Sequence, residues 1–222
     1  MPYATYALIA LNVLVFVVEL AAGGGGATAI EGGGRLIADG GLFAPAISDQ
    51  GEWYRILTAG FLHAGLFHLL LNMFVLYVLG TMLEPAIGTV RFLAIYFVSL
   101  LAGSVGALLL DANAPTVCAS GAIYGLFAAA FLVARQRGIA QVASQIAFWV
   151  VLNLVITFSI PGISIGGHLG GLVGGALGAM LALALERQRI STKGAIELLG
   201  FVALGGLFFA AALFAAGQGA LG

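Results

Sequence analysis

Seven long apolar segments dominate the sequence. They lie at about 5–22, 64–83, 91–110, 120–135, 143–160, 166–186 and 197–217. A helix needs about 20 predominantly apolar residues to cross the hydrocarbon core of a bilayer, and each segment is close to that length. Only 8% of the 222 residues are charged, against about 25% in soluble domains. The sequence therefore predicts an all-α membrane protein, a polytopic helical bundle with seven spans.

The first segment has a second interpretation as a signal peptide, because small residues follow it at Ala21-Ala22-Gly23. It lacks a basic leader, however, and it carries Asn12 and Glu19. A cleaved signal peptide has a positively charged start and an uninterrupted apolar core. We therefore expect this segment to be a retained span.

Basic residues are distributed unequally between alternate loops. Six of the eight lysines and arginines follow the second, fourth and sixth segments, at Arg91, Arg135, Arg137, Arg187, Arg189 and Lys193. Loops rich in lysine and arginine stay in the cytoplasm. We expect a multi-pass protein of the cell (plasma) membrane with its N-terminus cytoplasmic and its C-terminus outside. The long first loop, about 23–60, is amphipathic in its second half, which predicts a location in the membrane interface.

The composition excludes several classes of function. The net charge of −1 offers no attraction for nucleic acid. One cysteine, Cys118, can form neither an intramolecular disulfide nor a cysteine metal cluster. Three histidines could suggest a metal, but His63 and His68 are five residues apart and no carboxylate accompanies them, which makes a poor metal-binding pair. We expect no metal and no cofactor.

The few reactive side chains fall at one membrane depth. His63, His68 and Asn72 lie at the outer start of the second span, Ser120 at the outer start of the fourth, and His168 near the outer start of the sixth. Polar groups at such a depth are costly, and they face a bundle interior or a water-filled cavity. Alone, each has a structural interpretation, such as a serine that bonds to a neighbouring helix. Their joint placement from three helices favours a shared site.

The spacing of these residues brings two of the spans together. Ser120 and Tyr124 are four apart and share a helical face, as do His68 and Asn72. Small residues at Gly121 and Gly125 in the fourth span, and at Gly171 and Gly175 after His168 in the sixth, let membrane helices approach closely. Contact between these spans would place Ser120 beside His168. That is the arrangement of a nucleophile and a general base.

In its motifs the sequence resembles the rhomboid family of intramembrane serine proteases. The motifs that carry the resemblance are Ala119-Ser120-Gly121 with Tyr124, His63-x4-His68-x3-Asn72, His168-x2-Gly171-x3-Gly175, Glu52-Trp53-Tyr54-Arg55 and Glu84-x3-Gly88. They cover about residues 5–186. The resemblance implies a rhomboid-like six-span catalytic core at 1–190, followed at 191–222 by an additional C-terminal transmembrane helix.

The resemblance also implies roles for individual residues. Ser120 and His168 would form the catalytic dyad, while His68, Asn72 and the backbone N–H of Ser120 would stabilise the oxyanion. Tyr124 would stack on His168. The residues that would support the site are His63, Arg55, Glu84, Cys118, Gly121 and Gly171. The substrates would be single-pass or other transmembrane proteins in the lipid bilayer, cleaved near the outer face.

One position departs from the family pattern. Cys118 stands two residues before Ser120, where the family has glycine, which suits an unusual backbone or a close approach.

Two other functions compete with the protease. A catalytically silent rhomboid-like protein would bind membrane clients without cutting them. A small transporter would show internal repeats and polar residues near mid-span, and neither is clear in the sequence.

Overall fold

A computed structural model of the chain describes residues 1–22, 34–110, 115–117, 119–186 and 193–219. Cys118, Arg187 and Arg189 lie outside the described residues, as does the glycine-rich start of the first loop. Within the described residues the structure is helical, and its one β-type pairing is an isolated bridge between Leu42 and Thr116.

All seven predicted spans are helices of membrane-crossing length and hydropathy, which confirms the prediction of a polytopic helical bundle. They are α1 (Tyr3–Ala21), α5 (Leu66–Ile87), α6 (Thr89–Leu110), α7 (Ala119–Gln136), α8 (Ala140–Ser159), α9 (Ile165–Glu186) and α10 (Lys193–Gly219). Large apolar side chains such as Phe67, Phe74 and Phe214 are exposed on their outer faces. In a bilayer such faces contact lipid rather than water.

The first loop folds into short helices against the bundle. These are α2 (Arg35–Gly40), α3 (Ala44–Gln50), α4 (Arg55–Thr58) and a 3₁₀ turn at Ala59–Phe61. Leu42, Ile47 and Ile56 of this loop form a buried apolar cluster with residues of α6 and α10. The apolar half of the loop therefore packs on protein, while its location in the membrane interface stays a prediction.

Arg55 holds this loop together. Its side chain is buried and donates hydrogen bonds to the carbonyl oxygens of Ala38 at 2.7 Å and Gly41 at 2.9 Å. It also pairs with Glu52, its Nε lying 2.6 Å from a carboxylate oxygen. A planar guanidinium can satisfy several acceptors at once, so one residue ties α2 to α4.

Helix α9 lies at the centre of the bundle, and its most extensive contacts are with α6 and α7. Glycines make this approach possible. A Cβ added at Gly171 would lie 2.7 Å from the carbonyl carbon of Gly121, and one added at Gly175 would overlap the backbone of Gly125. The backbones of α7 and α9 are thus in direct contact, as the small-residue pattern predicts.

Polar contacts join two pairs of spans, α1 with α5 and α6 with α10. The buried carboxylate of Glu84 in α5 accepts hydrogen bonds from the backbone N–H groups of Ala4 (3.0 Å) and Thr5 (2.8 Å), and from the Thr5 hydroxyl (2.7 Å). It therefore caps the amino-terminal turn of α1, whose N–H groups have no partner within the helix. Arg91 of α6 pairs with Glu197 of α10 through two bonds of 2.6 and 3.0 Å.

Candidate active site

Ser120 and His168 are in hydrogen-bond contact. Ser120 is the second residue of α7 and His168 the fourth residue of α9, so both lie in the first turns of helices that begin on the same side of the bundle. The Ser120 Oγ lies 2.6 Å from the His168 Nε2. His168 is buried, with 7% of its surface exposed, and Ser120 is partly exposed. A hydroxyl at this distance from an imidazole nitrogen can pass its proton to the ring.

Two residues hold the His168 ring from other sides. The Tyr124 ring stacks on it, with centroids 3.9 Å apart and planes inclined by 14°. Tyr124 lies one helical turn after Ser120, so the ring that stacks on the imidazole and the serine bonded to the imidazole belong to the same face of α7. The second residue is Thr157 near the end of α8, whose Oγ1 lies 2.7 Å from the His168 Nδ1.

The residues expected at the oxyanion lie in the first two turns of α5. The backbone N–H of Ala64 donates to the His68 Nδ1 at 3.2 Å. Because that nitrogen accepts, the proton of a neutral His68 ring is on Nε2, which makes Nε2 a donor. Asn72 donates one amide N–H to the His68 carbonyl oxygen at 3.0 Å, and a primary amide has two such hydrogens. Both side chains can therefore supply hydrogen-bond donors.

His63 packs beside His68 in the segment that precedes α5. Their ring centroids are 5.4 Å apart, and only 1% of His63 is exposed. Burial, with a smaller contribution from His68, lowers the pKa of His63 to about 3. The ring is therefore neutral under physiological conditions and packs against the His68 ring.

The other residues singled out from the sequence lie around this pair. Gly121 and Gly171 form the backbone contact between α7 and α9, immediately next to Ser120 and one turn after His168. Arg55 and Glu84 make their polar contacts in the first loop and at the start of α1, as described above. Cys118 is outside the described residues, so its effect on the site stays a prediction.

Thr157 was missed by the sequence analysis, which named no residue of the fifth span. The direction of the fifth span is a sequence signal that could have identified it. The fifth span runs in the direction opposite to the fourth and sixth, so its carboxyl-terminal end lies at their starting depth. Thr157, near the end of the fifth span, is therefore expected at the same depth as Ser120 and His168.

Comparison with known proteins identifies the family. The model of the Rhomboid domain matches residues 50–185, which is more than half of the chain. The chain belongs to the rhomboid family. The Rhomboid protease GluP of Bacillus subtilis (strain 168) is 36% identical over 171 residues, which cover 75% of this chain and 32% of the relative.

Other rhomboid relatives include one that is named a protease and one that is named inactive. Rhomboid-like protease 3 of Toxoplasma gondii is 37% identical over 91 residues, 41% of this chain and 34% of its own length. Inactive RHOMBOID-like protein 8 of Arabidopsis thaliana is 40% identical over 90 residues, 40% of this chain and 26% of its own length. The matched rhomboid region thus spans about a third or less of each relative. The family includes both proteases and inactive members.

Proposed function

We propose that this rhomboid protein is an intramembrane serine endopeptidase whose catalytic dyad is Ser120 and His168. The observation that carries the proposal is the 2.6 Å hydrogen bond between the Ser120 Oγ and the His168 Nε2. A serine hydroxyl is a weak nucleophile on its own, and it is activated by a base that accepts its proton as it attacks. The burial and stacking of the imidazole keep it directed at this hydroxyl.

The bond-making and proton-transfer steps use these two side chains and water. The Ser120 Oγ forms a bond to the peptide carbonyl carbon while its proton moves to the His168 Nε2. The tetrahedral intermediate collapses, the C–N bond breaks, and His168 gives the proton to the leaving amine. Water, deprotonated by the same nitrogen, then attacks the acyl-serine, and the proton returns to Ser120 as the new carboxyl terminus leaves.

Three donors stabilise the oxyanion in this proposal. They are the His68 Nε2–H, the amide of Asn72 and the backbone N–H of Ser120. The last lies in the first turn of α7, where N–H groups lack a partner within the helix and the helix dipole favours negative charge. Loss of one such donor typically lowers kcat by about 10²- to 10³-fold.

The position of the dyad sets where cleavage occurs. Among the described basic residues, Arg91, Arg135 and Arg137 lie at the ends of the spans opposite to Ser120 and His168. With these residues on the cytoplasmic side, the dyad faces the outer half of the plasma membrane, the first residue is cytoplasmic and the last is outside. The substrates are transmembrane proteins cut near the outer face.

The catalytic unit in this proposal is the six-span core at 1–190, and 191–222 is an addition. The Rhomboid domain match supports this division because it ends at residue 185, before α10. Every residue assigned to the reaction lies within the core. Helix α10 packs on α6 and α3 and is linked by Glu197 to Arg91, at a distance from the dyad along the bundle.

Cleavage of a transmembrane reporter substrate in proteoliposomes tests the proposal. We expect the wild-type chain to cut the reporter and Ser120→Ala to lose at least about 10³-fold of the rate with unchanged thermal unfolding. His168→Ala should lose as much of the rate while it still unfolds cooperatively. The matched control is Ser159→Ala, since the Ser159 hydroxyl is exposed and bonds to the carbonyl oxygen of Val155 in its own helix. Cleavage by Ser120→Ala would contradict the proposal.

The competing function is a silent rhomboid that binds membrane clients. It is favoured by the similarity to a relative named as inactive and by the presence of Cys118 where the family has glycine. A wild-type chain that retains the reporter without cutting it, and a Cys118→Gly variant that also fails to cut, would establish the silent function.

A further inference from the structure

Thr157 makes three polar contacts at once. Its Oγ1 lies 2.7 Å from the His168 Nδ1, 2.9 Å from the Tyr124 hydroxyl oxygen and 2.8 Å from the carbonyl oxygen of Asn153. The residue is buried, with 2% of its surface exposed. It thus joins α7, α8 and α9 at the side of the imidazole that faces away from Ser120.

The chemistry of these partners determines the direction of each bond. A threonine hydroxyl has one hydrogen and two lone pairs, and a carbonyl oxygen can only accept. The Thr157 hydrogen therefore goes to the Asn153 carbonyl oxygen. Both lone pairs remain for donors, which must be the Tyr124 O–H and the His168 Nδ1–H. This is the one arrangement in which all three contacts are hydrogen bonds, and leaving a buried polar atom unpaired is costly.

We propose that Thr157 is a positioning residue that fixes the tautomer of the catalytic base. With Nδ1 carrying the hydrogen, Nε2 has a free lone pair directed at the Ser120 hydroxyl and can accept its proton. The opposite tautomer would place a hydrogen on Nε2 and would leave no base facing the serine. The hydroxyl also accepts the Nδ1–H bond of the imidazolium that forms during attack. The proposal rests on the proposed function and adds a third, uncharged member to the dyad.

The ¹⁵N spectrum of histidine-labelled protein tests the tautomer directly. The chain has three histidines, so comparison with His168→Ala assigns the His168 signals. We expect a pyrrole-type Nδ1 and a pyridine-type Nε2 at neutral pH. In Thr157→Val, which keeps the shape and removes the hydroxyl, the two tautomers should be mixed. A pyrrole-type Nε2 in the wild type, or an unchanged spectrum in Thr157→Val, would overturn the proposal.

Kinetics supply the second measurement. In Thr157→Val we expect kcat to fall about ten-fold, which corresponds to about 1.4 kcal/mol of barrier, with KM unchanged, because the hydroxyl does not touch substrate. Thr157→Ser keeps the hydroxyl and should restore most of the rate. The matched control is Thr81→Val, since Thr81 also donates to a carbonyl oxygen of its own helix, that of Tyr77, but lies at the far end of α5.

The outcomes separate this proposal from the proposed function. Activity in Ser120→Ala would refute the serine protease without bearing on the His168 spectrum. Loss of activity in Ser120→Ala, combined with a wild-type kcat in Thr157→Val, would refute the role of Thr157 alone. An equal fall of kcat in Thr157→Val and Thr157→Ser would also refute it, since the hydroxyl would then not be the group responsible.

Discussion

Gly171→Ala should separate the dyad without changing a reacting group. The backbone of α9 at Gly171 lies against the backbone of α7 at Gly121, the residue next to Ser120. An added Cβ would lie 2.7 Å from the carbonyl carbon of Gly121 and 2.9 Å from its Cα. Ordinary contacts between carbon atoms are about 3.5–4.0 Å. Both of these Gly121 atoms belong to the backbone rather than to a flexible side chain, so the two helices must move apart by about 1 Å.

That movement acts on the dyad because the contact is one residue from Ser120 and one turn from His168. A shift of about 1 Å would lengthen the hydrogen bond between Ser120 and His168, which is 2.6 Å in the structure, beyond the normal range. Misplacement of this size typically lowers the rate by about 10²-fold, or about 2.7 kcal/mol of barrier. The overpacking itself should cost about 1–3 kcal/mol of stability.

The assay is the rate of labelling by a fluorophosphonate probe, measured with thermal unfolding of the same purified protein. We expect Gly171→Ala to react about 100-fold more slowly than the wild type while still unfolding cooperatively. The matched control is Gly206→Ala in α10, where an added Cβ would meet no atom within 4 Å. Labelling of Gly171→Ala at the wild-type rate would show that the glycine contact does not set the geometry of the dyad.

Three further predictions concern the oxyanion and the supports. Asn72→Ala should lower kcat about 10²-fold with little change in KM; a rise in KM at constant kcat would make Asn72 a substrate-binding residue. Glu84→Gln should destabilise the protein by about 1–3 kcal/mol, because an amide cannot accept hydrogen bonds from all the donors at the start of α1. Thermal unfolding measures this loss, and an unchanged midpoint would contradict the capping role of Glu84. His63 has a pKa of about 3 in the folded protein, so the unfolded chain binds more protons than the folded one below about pH 6.5. Between about pH 7.5 and pH 5 the free energy of unfolding should therefore fall by about 2 kcal/mol more in the wild type than in His63→Gln. An equal fall in the two proteins would contradict a lowered pKa of His63 in the folded state.

The spans were predictable from the sequence because lipid imposes a simple requirement. Each crossing needs a helix of about 20 apolar residues, and all seven helices were found by that rule. The contact between α7 and α9 was also predictable, since Gly121, Gly125, Gly171 and Gly175 let the two backbones approach closely. These features are encoded by the periodicity and size of residues within single segments.

The rest required the packed structure. The depth of Thr157 could be inferred from the direction of its span, but its bond to His168 depends on how α8 and α9 cross, which no spacing within one segment encodes. The short helices of the first loop depend on partners far along the chain, such as the carbonyl oxygens bound by Arg55 and the apolar surface of α6 and α10. The role of Cys118 remains a prediction, which activity of the wild type, Cys118→Gly and Cys118→Leu would test.

The most direct test of the account is the site of the fluorophosphonate adduct. The wild-type protein in membranes is treated with the probe and digested, and mass spectrometry locates the modified residue. We predict one adduct, on Ser120, absent from His168→Ala because the base that activates the hydroxyl is gone. An adduct on another residue, or equal labelling of Ser120 in His168→Ala, would contradict a mechanism in which Ser120 is the nucleophile and His168 its base.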